Sequence, residues 1–343
     1  MRVAIAGFGF MGRMHYGCWK KVPGAEVVAL CDRDTRQFDV PAAANGNVAG
    51  ADTSCDYGDA VIFDDYARLL EEAKPDVVDI TLPTFLHVPT ACQALAKGIH
   101  VLCEKPMALT TADCDTLLSA WRSAPAGTEL VIGQCLRFRN EYAYAKRLIG
   151  SGAYGKVIAA RFGRYSVAPG WTRDGGKSWF FDESRSGGVA LDLHIHDTDM
   201  VNFLFGMPRA VTSSAYYDRD GTMIHIATSY DVGGAVVTAE GGWGMAKSFG
   251  FERGFQVTFE RATLVMASKR TPEFCLYPME GEPFTPELPV SDPYQNEISW
   301  FADKMSGKPV EGITSPQESR DSVRIVDAEK MSARCGKTVV LDA

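Results

Sequence analysis

Seven residues near the start of the chain, AGFGFMG at 6–12, join an apolar run at 2–6 to a stretch of helical character at 11–21. A short strand that ends on glycine and passes directly into a helix is the opening of a β-α unit. The pattern repeats. Apolar runs at 26–31 (EVVALC), 77–82 (VVDITL) and 99–103 (IHVLC) alternate with helix-like stretches at 64–73 and 88–97. These runs are too continuously apolar to have a wet face, so they predict a parallel sheet covered on both sides. AKGIH at 96–100 reads as a helix closed by a glycine before the next strand, and TTADCDTLLSAW starts another helix near 111 behind a threonine cap.

The texture changes after about residue 125. Segments 157–167, 210–217, 222–232, 235–241, 255–260 and 262–268 are rich in Val, Thr, Tyr, Phe and Ile, and Gly233–Gly234 between two of them marks a hairpin. This half predicts a mainly antiparallel sheet, with helices over 293–306 and 316–334 and a last strand in KTVVLDA. The expected fold class is therefore α/β. It comprises a parallel-sheet domain over 1–122 and an α+β domain over 123–343 with a large open sheet.

Composition narrows the function classes. The chain has 343 residues, 46% hydrophobic and 23% charged, which suits two soluble globular domains. Its net charge of -8 argues against a nucleic-acid partner. Nine cysteines, an odd number without a CxxC pair, sit mostly in apolar runs and read as reduced, buried thiols. No apolar stretch approaches the roughly 20 residues of a membrane span. The expectation is a cytoplasmic protein with no membrane partner.

Gly7, Gly9 and Gly12 form G-x-G-x-x-G at the first strand–helix junction, and Asp32 follows the second strand, 20 residues after Gly12. The glycines permit a tight turn, close approach of a pyrophosphate and close helix packing, while the acid can bind ribose hydroxyls. This predicts a dinucleotide site built from Gly7, Phe8, Gly9, Phe10, Met11, Gly12, Asp32 and Arg33. Asp32 favours NAD, since it would repel a 2′-phosphate, and Arg33 beside it leaves NADP open.

CEKP at 103–106 follows the strand at 99–103, at the carboxyl edge of a parallel sheet where ligands bind. Pro106 biases Lys105 toward extended geometry. A second dense stretch, LDLHIHDTDM at 191–200, holds three aspartates and two of the six histidines. Three readings compete there: a metal site, a polar helix face, and an acid–base pair. H-x-H converges on a metal only in a strand, whereas Leu191, Ile195, Met200, Phe203 and Leu204 recur at helical spacing. No metal is expected.

The Gly7–Gly12 turn, PTFLH at 83–87, CEKP at 103–106 and SGGVALDLHIHDTDMVNFLFG at 186–206 together resemble the glucose–fructose oxidoreductase / inositol dehydrogenase / MocA family. Their order agrees over nearly the whole chain, as does the switch from an α/β to a β-rich half. The resemblance implies a Rossmann domain, a C-terminal α+β domain, and pyridine-nucleotide redox chemistry on a secondary alcohol of a sugar or polyol. It also implies homodimers or homotetramers joined through the C-terminal sheet. The family's D-x-x-x-H falls on Asp192 and His196, which i, i+4 spacing puts on one helix face, with His194 about 200° round from Asp192. In the implied roles His196 is the acid–base group, Asp192 orients it, and Lys105 stabilises the alkoxide. Asp199 could steady the His196 ring or pack the helix.

The resemblance further implies that Pro83, Thr84 and His87 lie near the nicotinamide ribose, with Thr84 standing where relatives commonly carry Asn, and Glu104 beside them. Arg137 in QCLRFRNEY and Trp171 and Trp179 in the 169–182 loop are candidates for substrate binding. His15, His100 and His225 have no assigned role. Two other functions stay open: a glycoside hydrolase that oxidises its substrate transiently with tightly held NAD, and a non-catalytic nucleotide- or sugar-binding regulator.

Overall fold

The computed structural model describes residues 1–39, 56–168 and 179–341. The chain divides into two compact units, one comprising Met1–Cys135 with Asp292–Arg320 and the other Leu136–Ser291 with Asp321–Ala343.

The first unit begins β1 (Arg2–Ala6), α1 (Phe10–Trp19), β2 (Glu26–Cys31), β3 (Val61–Phe63), α2 (Tyr66–Glu72) and β4 (Val77–Ile80). It continues α3 (His87–Ala96), β5 (His100–Glu104), α4 (Thr111–Arg122) and β6 (Leu130–Gly133). All six strands are parallel, in the order β3-β2-β1-β4-β5-β6. Val3, Ala4, Ile5, Val77, Val78, Val101 and Leu102 are fully buried, as a sheet covered on both faces requires. The order reverses between β1 and β4, so a ligand crevice is expected at their carboxyl ends. Side chains start the helices where the sequence offers them: Asp65 accepts from Arg68 N–H ahead of α2, and Thr110 from Asp113 N–H ahead of α4. The short strands β3 and β6 carry too few residues to stand out as runs.

The second unit runs α5 (Asn140–Ser151), β7 (Val157–Ser166), α6 (Glu183–Ser186), α7 (Ile195–Phe205), β8 (Ala210–Tyr217), β9 (Met223–Asp231) and β10 (Val236–Gly242). β11 (Phe251–Phe259), β12 (Ala262–Ala267) and β13 (Phe274–Pro278) follow. After α8 (Pro293–Met305) come α9 (Pro316–Cys335), inside which the two units divide, and β14 (Val339–Val340). The eight strands order β13-β12-β11-β7-β10-β9-β8-β14 and pair antiparallel except β7 with β10. Gly233 and Gly234 turn the β9–β10 hairpin at φ 81° and 126°.

A single cut at 122/123 does not describe these units. Residues 292–320 rejoin the first, because Ile298, Phe301 and Ala302 of α8 complete its core and the Phe301 ring meets Trp19 edge-on at 6.2 Å. Burying a side chain the size of Ile298 or Phe301 contributes roughly 1.5–3 kcal/mol. Among the described residues no helix is long and apolar enough to cross a membrane.

Candidate active site

In the first unit the glycine turn sits at the strand-order reversal. Gly7 follows β1 at φ 94°, and a Cβ there would come within 2.8 Å of the Thr81 and Leu82 backbone. Gly12 lies so close to the Gly7 carbonyl that a Cβ would overlap it. Gly9 differs: a Cβ there would meet nothing within 4 Å, and as N-cap of α1 it has no side chain to occupy the first-turn N–H groups. Open space at Gly9 and an uncapped helix end fit a pyrophosphate.

Asp32 is half-buried and faces this turn. It accepts hydrogen bonds from Phe8 N–H at 2.8 Å and Asp34 N–H at 2.9 Å. A carboxylate has lone pairs beyond these two and can also take ribose hydroxyls. Arg33 beside it is exposed, and Phe10 and Met11 are half-buried. Phe8 offers a ligand only its backbone, since its ring is fully buried and stacks on Phe38 at 4.9 Å. The residues present therefore fit a dinucleotide.

The loop after β4 buries one of the candidates. His87 is 1% exposed, with Nδ1 2.8 Å from the Pro106 carbonyl oxygen and Nε2 2.8 Å from the Leu82 carbonyl oxygen. Burial pushes its pKa down, so the neutral ring donates to one of these carbonyls while its other nitrogen faces the second, and neither nitrogen is open to a ligand. Thr84 is likewise buried, and Pro83 is half-buried. At the end of β5, Glu104 is buried and Lys105 half-buried. From Val101 to Ala108, Lys105 is the one residue that is not buried.

The second unit presents its candidates in a similar way. Gly187 and Gly188, at φ 78° and 67°, turn the chain into a π-helical stretch, Ala190–His194, which continues directly as α7. A Cβ on Gly187 would collide with the Leu191 side chain. Between Ser186 and Val201 every residue is buried except Asp192 and His196. A π-turn inside a helix is a frequent mark of a functional site.

The neighbouring polar residues of the stretch turn inward. His194 Nε2 lies 3.2 Å from Glu329, which also accepts from Tyr230 Oη at 2.6 Å and Thr198 Oγ1 at 3.1 Å. Asp197 pairs with Arg164 of β7 at 3.1 Å. Burial raises the Asp197 pKa despite that partner. Asp199 does not steady His196. It takes the Arg137 guanidinium through both carboxylate oxygens, at 2.8 and 2.9 Å, and also accepts from Ser322 Oγ at 2.8 Å. Arg137, expected to meet substrate, is 1% exposed, and Asp199 neutralises its buried charge. Trp179 stacks on Phe180 at 4.1 Å, while Trp171 lies outside the described residues.

The sequence did not reveal this inward set, or a cluster around His15 in the first unit. Arg164 and Asp197 lie 33 residues apart and Thr198 and Glu329 131 apart, distances no local pattern encodes.

Residues 1–126 match the family model described as oxidoreductase family, NAD-binding Rossmann fold, and residues 142–265 match the GFO/IDH/MocA C-terminal domain. Among curated proteins the chain is similar to the 2,7-anhydro-N-acetylneuraminate hydratase of Mediterraneibacter gnavus, 31% identical over 61% of this chain and 50% of the relative. It is similar to the D-apiose dehydrogenase of Paraburkholderia graminis, 30% identical over 59% of this chain and 49% of the relative. The chain thus spans about half the length of these relatives. Among solved structures, a levoglucosan dehydrogenase in complex with NADH and levoglucosan superposes with a TM-score of 0.83 at 20% identity, over 100% of both chains.

Proposed function

Since the chain belongs to the GFO/IDH/MocA family of NAD-binding oxidoreductases, we propose that it transfers hydride between NAD and a secondary alcohol of a sugar or polyol. The observation that carries this reading is the burial pattern. Lys105, Asp192 and His196 are the half-buried residues in two otherwise buried stretches. Bound NAD supplies the hydride acceptor; the rest falls to these side chains. His196 takes the hydroxyl proton on an imidazole nitrogen, since its ordinary pKa lies near neutral pH. Asp192 orients that ring and stabilises its cation. Lys105 supplies positive charge for the developing alkoxide. Gly7, Gly9, Gly12 and the first turn of α1 hold the pyrophosphate, and Asp32 holds the ribose and selects NAD over NADP.

The substrate class is supported by relatives named D-apiose dehydrogenase, D-glucoside 3-dehydrogenase and levoglucosan dehydrogenase. Two relatives carry a different name, a hydratase, whose reaction has no net redox change. They favour a second reading in which NAD is reduced and restored within one turnover. The two readings part on one assay of NADH absorbance against product formation over a panel of aldoses, polyols and anhydrosugars. Stoichiometric NADH supports the dehydrogenase. Product without NADH supports the second reading. Binding of NAD without product on any substrate contradicts both.

The unit of Met1–Cys135 with Asp292–Arg320 is proposed as the dinucleotide domain, and that of Leu136–Ser291 with Asp321–Ala343 as the substrate and assembly domain. The sheet face that carries Arg161, Thr212, Ser229, Thr238 and Gln256 is proposed to join copies into a dimer or tetramer, in the cytoplasm. Light scattering that returned a monomer would remove that assembly.

A further inference from the structure

Five groups from three segments meet inside the first unit. His15 lies on α1, three residues past Gly12, and is fully buried. Its Nδ1 faces both oxygens of Asp79 on β4, at 2.9 and 3.1 Å, and its Nε2 faces Glu104 Oε1 at 3.1 Å. Trp19 Nε1–H donates to Asp79 Oδ2 at 2.7 Å. The other Glu104 oxygen accepts the backbone N–H of Lys105 at 3.0 Å. Each ring nitrogen thus faces a carboxylate, and only the doubly protonated imidazolium can donate to both. Burial alone would lower the His15 pKa, yet Asp79 and Glu104 overcome it and raise it well above the ordinary value. Burial likewise acts to raise Glu104, and His15 reverses that, leaving it below the usual carboxylate range. A histidine needed only to fill the core would not have to be charged.

We propose that His15 is a positioning residue: it clamps the Glu104 carboxylate and, through it, fixes the backbone of Lys105. The assignment rests on the reading above that Lys105 acts on the substrate oxygen. The helix that opens on the phosphate loop and the loop that presents the lysine are then parts of one hydrogen-bonded unit. A shift of about 1 Å in a reacting group can cost on the order of a hundredfold in rate.

The test separates the two ring nitrogens. Asn places its amide nitrogen near the Nδ1 position and keeps the Asp79 bond; Gln reaches the Nε2 position and keeps the Glu104 bond. With a substrate identified, His15→Asn is expected to lower kcat about ten- to hundredfold while KM changes by less than about threefold. His15→Gln is expected to recover most of that loss. In a Lys105→Ala background His15→Asn should lower turnover no further, because coupled residues are non-additive. Amide hydrogen exchange at Lys105, read without substrate, should be fast in His15→Asn and slow in the wild type and His15→Gln. Equal losses in the Asn and Gln variants, a full extra loss on top of Lys105→Ala, or unchanged exchange would overturn the proposal. If Lys105→Ala keeps normal turnover, the role given to Lys105 fails instead, and the exchange measurement alone decides whether His15 holds its backbone. Should His15→Asn not fold, Glu104→Gln breaks the same link from the other end and is read the same way.

Discussion

The end of β5 and the π-turn into α7 each present chemistry-bearing side chains from a buried frame, and each frame contains a fully buried histidine. The two frames are built differently. His15 is satisfied on both nitrogens by carboxylates. His194 meets Glu329 and Tyr230 on Nε2, while its Nδ1 has no hydrogen-bond partner among the described residues and sits where a Cβ on Gly241 would lie 3.1 Å away. The strand end is thus held by a charged hydrogen-bond relay. The helix is held by packing against the sheet and by two buried ion pairs, Arg137–Asp199 and Arg164–Asp197. Directional bonds fix the backbone of one lysine at the strand end, whereas the packed helix is fixed by its inner face.

The largest effect should separate presented residues from their frames. His196→Asn and Lys105→Ala are expected to lower kcat by about 10²- to 10⁴-fold, with thermal unfolding nearly unchanged. A large loss of stability in either would mean that it belongs to its frame.

Breaking an ion pair in the helix frame should do the reverse. Arg137→Met leaves Asp199 charged and buried, and should cost about 3–5 kcal/mol by denaturant unfolding. Arg137→Met combined with Asp199→Leu should recover much of it. A cost below about 1 kcal/mol would show that the pair is not what holds α7.

Two glycine substitutions sharpen the contrast further. Gly187→Ala, strained at positive φ and pressed on Leu191, should cost roughly 1–3 kcal/mol. Gly9→Ala should hardly change stability, because its Cβ meets no protein atom, yet should weaken NAD binding in a titration. Equal stability losses would remove the distinction between a structural and a ligand-facing glycine.

The smallest effect is one of pH. The folded pKa of His15 lies above its unfolded 6.5, so its contribution is full below 6.5 and fades as pH rises through the folded value. Wild-type stability should therefore fall more steeply than that of His15→Gln above pH 6.5. Parallel curves would mean that His15 is neutral in the folded protein.

The sequence made the parallel sheet legible through continuously apolar runs, and the glycine turn and Asp32 through their place at the first two strand ends. It made α8 legible as a helix but not as a member of the first unit, since amphipathicity states that a face is buried and not against what. Arg137 and His87 show the same limit. Residue type predicts a ligand contact for either, but burial and partners decide, and Asp199 lies 62 residues from Arg137. His15 gave no signal, because its meaning depends on Asp79 and Glu104, 64 and 89 residues away. Residue type alone does not separate Asp192 and His196 from the other acids and histidine of 191–200; the resemblance to the family's D-x-x-x-H does.

The most direct measurement is NADH absorbance with purified protein, NAD and a panel of sugars and polyols, run for the wild type beside His196→Asn. The account predicts NADH formation on at least one secondary alcohol, about 10²- to 10⁴-fold slower in the variant at unchanged NAD affinity. Equal rates in the two proteins would contradict it.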